Sequence, residues 1–245
     1  MVAALAAAGL VIGRCLRAVV VRHAAGAGEP PASACAQCGQ SVRVAGRVPW
    51  PAAAPRGRCP ACRAGIGPRP LVLELATAAL LGALAARVHP GLALAAACWL
   101  GACGVALAWI DVAVQRLPDA LTAPAYAGTA GLLAAAAATT GHWHELLRAA
   151  LGGVALTAAY LAMAVISRSA IGLGDVKLAA SLGTLLSWPG WQTLIAGVVA
   201  GFLLGAVYGV GLLVTRRATR GQRIPFGPFM IAGAFLAVLA SGPGF

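Results

Sequence analysis

Acidic side chains are nearly missing from this sequence. Six occur in 245 residues: Glu29, Glu74, Asp111, Asp119, Glu145 and Asp175. Charged residues of both signs make up only 10%, against about 25% in a soluble domain. That shortage argues against an ordinary soluble enzyme, and the 60% of hydrophobic residues argues for a membrane protein. No internal period marks a repeat protein, and no long polar domain follows the apolar runs. With so few carboxylates, each one needs a physical reason.

What the chain has instead is apolar runs of roughly the length that spans a bilayer. They fall at about 1–22, 70–88, 91–110, 120–140, 147–167, 176–190, 191–214 and 224–242, which makes eight. The expected fold is an all-α polytopic membrane protein of about eight transmembrane helices. The opening run reads as a spanning helix and not as a cleavable signal, because Arg14, Arg17 and Arg22 follow it and no basic residue precedes it. Arg14 and Arg17 are placed to snorkel to the inner interface.

The net charge of +12 raises the question of nucleic acid. The arginines, however, cluster between apolar runs. With the N-terminus outside, segments 14–69, 111–119, 168–177 and 215–223 face the cytoplasm. They hold 16 of the 18 basic residues, leaving only Arg87 and Arg148 outside. That asymmetry is the positive-inside pattern and points to lipid headgroups, not to nucleic acid. It also puts Asp111, Asp119 and Asp175 at the cytoplasmic ends of spans.

The one sizeable piece outside the spans, 23–69, is rich in Gly, Pro and Arg and cannot bury a core unaided. "CAQCG" at 35–39 and "CPACR" at 59–63 supply a staple. Cys35, Cys38, Cys59 and Cys62 form two C-x-x-C pairs separated by 20 residues, the pattern of a tetrahedral four-thiolate zinc site. Two disulfides or redox thiols are the alternative, disfavoured in a reducing compartment. Four thiolates leave no position open for a reacting water, so the zinc is expected to be structural. The domains are therefore 1–22 as a first helix, 23–69 as a cytoplasmic four-cysteine zinc loop, and 70–245 as a seven-helix membrane domain.

The aspartates sit in distinctive surroundings. "WIDVAVQRLPDALTAP" at 109–124 carries Asp111 and Asp119, and "GLGD" at 172–175 carries Asp175 just ahead of the sixth span. Gly172 and Gly174 permit a bend and a close approach of another segment. Carboxylates near apolar surroundings are costly and are read first as functional. Two brought together share a proton, and the pair can act as base toward water and acid toward a carbonyl. No serine–histidine pair stands on the same side. Simpler readings remain: Asp111 or Asp119 caps a helix or pairs with Arg116, and Asp175 caps the sixth span or pairs with Lys177. A proton-coupled transporter would use the same acids, and a zinc-stapled scaffold would use none of them.

Taken together, these segments resemble the type IV prepilin peptidases, membrane aspartic proteases with a Gly-x-Gly-Asp motif. The likeness runs through the four-cysteine loop, "PLVLELATAALLGAL" at 70–84, "IDVAVQRLPDALTAP", "GLGDVKLAA" and "IPFGPFMIAGA" at 224–234. It implies that Asp111 and Asp175 are catalytic, with Asp119, Gly172, Gly174, Lys177 and Glu74 accessory. It implies cleavage, at the cytoplasmic face of a bacterial inner membrane, of a prepilin or pseudopilin precursor with a basic leader ending in glycine before an apolar helix. Glu29, Glu74, Asp119 or anionic lipid would meet the leader's charge. Many relatives also methylate the new N-terminus with S-adenosylmethionine. Glu74 matches a family acid linked with that activity. "GRCLRAVVVRHAA" at 13–25, however, keeps Gly13, Leu16, Val19 and Arg22 of the family's first-span motif and lacks its Ser, Asn, Tyr and Pro. N-methylation is left open. So are the identity of the precursor and the oligomeric state.

Overall fold

The computed structural model describes residues 1–24, 35, 37–40, 58–59, 61–65, 67–166, 172–216 and 225–242. Expectations attached to Glu29, Arg43, Arg47, Arg56, Arg168, Arg217, Arg220 and Arg223 lie outside these residues. Among the described residues there are eight helices: α1 (Val2–His23), α2 (Val72–Arg87), α3 (Leu92–Val114), α4 (Asp119–Thr140), α5 (Trp143–Ile166), α6 (Leu173–Ser187), α7 (Trp191–Val214) and α8 (Gly227–Ser241). Five of them, α1, α3, α4, α5 and α7, are long and apolar enough to cross a membrane.

The helices fall into three tightly packed pairs, α1/α2, α5/α6 and α7/α8. Each pair closes on glycine. Within a bilayer no hydrophobic drive separates a helix from lipid, so close backbone approach through small residues supplies the contact. A Cβ on Gly13 would come within 2.4 Å of Glu74 Cα; one on Gly183, within 2.7 Å of the Gly152 carbonyl oxygen. One on Gly233 would stand 2.3 Å from the backbone nitrogen of Gly201. α3 runs through the middle, touching α1, α2, α4 and α8, with Leu100, Leu107 and Ile110 fully buried. α4 rests on α3 and α6 but hardly on α5, its neighbour in sequence.

The observed helices follow the apolar runs closely, with two informative differences. α6 begins at Leu173, not at 176, so Asp175 lies inside the first turn and not ahead of it. Its carboxylate reaches back to the N-cap Gly172, which extends the helix toward the glycines. Second, α6 and α8 have only 15 residues each, about 22 Å of helix against a hydrocarbon core of about 30 Å.

Short helices end among apolar neighbours with their last carbonyls exposed to loss of hydrogen bonding. Arginine meets both ends here. Arg148, at the start of α5, donates from Nε to the Ser187 carbonyl at 2.8 Å and from Nη2 to that of Trp188. Arg87, at the end of α2, donates from Nε to the Leu239 carbonyl of α8 at 3.0 Å. These are the two basic residues that broke the charge asymmetry. They cap the short helices from neighbouring elements.

Candidate functional site

The end of the bundle that holds the C-terminus of α3 and the N-termini of α4, α6 and α8 gathers three groups of polar side chains. The first is a pair of buried carboxylates. Asp111, one turn from the end of α3, is 5% exposed, and Asp175, in the first turn of α6, is 8% exposed. The two lie within electrostatic range of each other. Each is anchored by a backbone donor: the Gly227 N–H donates to Asp111 Oδ2 at 3.0 Å, and the Gly172 N–H to Asp175 Oδ2 at 3.2 Å. The Asp175 capping role weighed from sequence is therefore present, on a side chain within electrostatic range of a second acid.

Local sequence explains this placement. α3 ends at Gln115, whose left-handed backbone (φ 51°) turns the chain toward Leu117 and Pro118. Leu117 then packs on Gly174, where a Cβ would sit 2.9 Å from the Leu117 Cβ. Gly174 thereby lets the α3–α4 link lie against the first turn of α6, whereas Gly172 contributes its backbone N–H to Asp175. Gly227 has a comparable reason, since a Cβ there would stand 2.9 Å from Asp111 Oδ2. The α8 N-terminus reaches this position from 116 residues away.

Gly227 and Tyr160 were not singled out from sequence. Tyr160, 2% exposed on α5, lies within electrostatic range of Asp175. Its ring is 6.4 Å from that of Phe226, the residue before Gly227. "IPFGPF" carried the signal for Gly227, as part of a quoted motif without a named role. Tyr160 sits in an apolar run with no signal of its own.

The second group is exposed. Lys177 Nζ lies 2.6 Å from Asp119 Oδ1, tying the start of α4 to α6. Asp119 is the first residue of its helix, after Pro118, yet its partner is Lys177 and not Arg116. It stays outside the buried pair.

The third group corrects two expectations. Arg17 does not snorkel; it is 1% exposed, with Nη2 2.7 Å from Glu74 Oε1, and Glu74 is 2% exposed. Gly13, one turn earlier, brings α1 against α2 so closely that the Arg17 side chain ends on Glu74. Glu74 is thereby neutralised within the bundle and is not presented to a cationic leader.

The cysteine loop is assembled as two matching turns. Cys35 N–H donates to the Gln40 carbonyl and Cys59 N–H to that of Ala64, both at 2.8 Å; Gly39 and Arg63 donate back to the carbonyls of Cys35 and Cys59. The four sulfurs lie within 4.8 Å of one another, with Cys35–Cys62 and Cys38–Cys59 each at 3.7 Å. A tetrahedron with metal–sulfur bonds near 2.3 Å has edges of about 3.8 Å, so the donor set fits zinc. Backbone N–H groups of Gln37 and Cys38 directed at Cys35 hold its thiol down to about 7, toward the thiolate a metal needs. Cys35 and Cys59 pack on Val21, which fastens the loop to the end of α1.

Comparison with known proteins gives a consistent result. A family model described as the type IV leader peptidase family matches residues 98–210, and one described as the bacterial peptidase A24 N-terminal domain matches residues 7–88. The chain is similar to a prepilin leader peptidase/N-methyltransferase of Aeromonas salmonicida (strain A449), 34% identical over 219 residues, covering 85% of this chain and 71% of the relative. A protein of the same name from Pseudomonas aeruginosa is 36% identical over 223 residues, with 85% and 71% covered. One from Burkholderia pseudomallei (strain K96243) is 37% identical over 221 residues, with 87% and 68% covered. No solved structure matches.

Proposed function

The chain belongs to the type IV leader peptidase family, and from that membership we propose that it is an intramembrane aspartic endopeptidase. Its substrates would be pilin-like precursors, cut between a basic leader and an apolar helix at the cytoplasmic face of the inner membrane. The observation that carries this reading is the buried pair. Asp111 and Asp175 come from helices far apart in sequence, are both buried at one end of the bundle, and lie within electrostatic range of each other.

The geometry supports a division of labour. Gly227 and Gly172 each occupy one carboxyl oxygen, leaving the other for water and substrate. Like charges brought together in an apolar setting favour one shared proton. The ionised carboxylate removes a proton from water as its oxygen attacks the scissile carbonyl, and the protonated carboxyl donates to the carbonyl oxygen. Collapse of the tetrahedral adduct breaks the C–N bond, and the amine leaves with a proton returned through the pair. The four-cysteine loop would hold zinc through Cys35, Cys38, Cys59 and Cys62, and the metal supplies folding free energy to a segment without a core.

The decisive experiment incubates the purified protein with a pilin precursor in detergent, with and without S-adenosylmethionine, and maps the product N-terminus by mass spectrometry. Cleavage after the leader's final glycine is expected without the methyl donor. A methylated N-terminus appearing only with it would add the second activity in the relatives' name. An intact precursor would overturn the reading. Proton-coupled transport is the weaker alternative. Beyond Asp175, α6 offers Lys177, tied to Asp119 at the exposed end, and then only the hydroxyls of Ser181, Thr184 and Ser187, of which Thr184 and Ser187 are packed against Gly153 and Gly152. Proton flux into liposomes abolished by Asp175→Asn would favour transport.

A further inference from the structure

α4 and α5 both rest on α6 but splay apart from each other. The gap between them is a groove of about 410 Å³, lined by Asp119, Ala123 and Tyr126 of α4, Thr157 of α5, and Val176 and Ala180 of α6. Its depth is consistent across the three helices. Tyr126 and Ala180 are each seven residues from the end where Asp119 and Leu173 begin their helices, and Thr157 is nine residues from the matching end of α5. The groove therefore runs from the carboxylate end about 10–13 Å along the bundle. Its floor is apolar, Tyr126 is 45% exposed, and its polar end is the Lys177–Asp119 pair. Val176, on the floor, is the residue after Asp175.

We propose that this groove is the docking site for the apolar segment of the membrane-embedded precursor, seated beside α6 so that its polar end reaches Asp175. The inference rests on the proteolytic reading and names the surface that reading lacks. Three features select a peptide segment over other occupants. The groove's floor includes Val176, the neighbour in sequence of the buried Asp175. It lies between α4 and α5, two helices long and apolar enough to cross a membrane, where a substrate already in the bilayer arrives without crossing water. Its mouth carries Asp119, a mostly exposed carboxylate with Oδ1 on Lys177 and further acceptor positions for a cation that precedes an apolar stretch. Lys177 then acts as a strap across α4 and α6 that the incoming cation displaces.

Cross-linking tests the occupant. Tyr126 is replaced by photoreactive p-benzoylphenylalanine in the full chain carrying Asp111→Asn, in inner-membrane vesicles that contain a pilin precursor. The expected product is a cross-link to the precursor's apolar segment, lost when Ala180→Trp fills the groove. Cross-links to phospholipid alone, or to a second copy of this chain alone, overturn the proposal. Kinetics gives an independent readout. Ala180→Trp and Ala123→Trp, on opposite walls, are each expected to raise KM for the precursor roughly tenfold while kcat stays within about twofold. An unchanged KM, or a fall in kcat alone, overturns the proposal. The two readings fail separately: cleavage by the Asp111→Asn chain would end the aspartic mechanism and leave the cross-link standing.

Discussion

Gly227 shows how much one missing methyl group decides. Its N–H holds Asp111 only because nothing stands between the backbone and the carboxylate, and a Cβ would meet Oδ2 at 2.9 Å. Gly227→Ala is expected to lower kcat by about 10- to 100-fold with little change in KM or melting temperature, since it shifts a reacting group without opening the core. Steady-state cleavage kinetics would check this. Arg17 and Glu74 make the opposite case, a buried pair with no part in the proposed chemistry. Arg17→Met leaves Glu74 charged in an apolar setting and should cost about 3–5 kcal/mol, whereas Arg17→Met with Glu74→Leu should recover most of it. Thermal unfolding in detergent separates the two. From sequence, Asp111 and Asp175 stood out because they are rare acids at the edges of apolar runs, Asp175 directly after a Gly-x-Gly. Gly227 as an anchor and the Arg17–Glu74 pair were not, because each is a contact between distant segments and neither side chain reveals its partner.

The helices as elements were legible to within a few residues, because span length and apolarity are local properties. Their pairing was not. On a membrane helix both the lipid face and the packed face are apolar, so periodicity carries little information about neighbours. Glycines hold what signal there is: Gly9 and Gly13 on α1 and Gly197 and Gly201 on α7 are the small-residue seams of two pairs. Gly233→Val should therefore separate α7 from α8 and prevent accumulation of folded protein, which detergent size-exclusion would read. Arg87 and Arg148 were legible only as exceptions to the charge pattern. Their role as caps on 15-residue helices needed the fold. Arg148→Ala removes two charge-assisted hydrogen bonds from the end of α6 and is expected to cost about 1–3 kcal/mol, with Arg148→Lys recovering only part. Melting temperatures of the three proteins measure it.

At the scale of the whole molecule, a membrane bundle with acids at one end carries a small stapled loop on α1. The gathering of the four cysteines was readable from spacing alone, since two C-x-x-C turns admit few arrangements. That it rests on Val21, at the end of the bundle where α1 meets the Arg17–Glu74 pair, was not readable. Cys59→Ser is expected to lose bound zinc and to make residues 35–65 sensitive to limited proteolysis while the membrane helices persist; metal analysis and peptide mapping check both. The proposed chemistry depends on Asp111 and Asp175 working together. The most direct measurement is precursor cleavage by Asp111→Asn and by Asp175→Asn, each first verified to be folded and zinc-bound. A loss of at least about 10²-fold is predicted for each. Cleavage at the parent rate by either one would contradict the two-carboxylate mechanism.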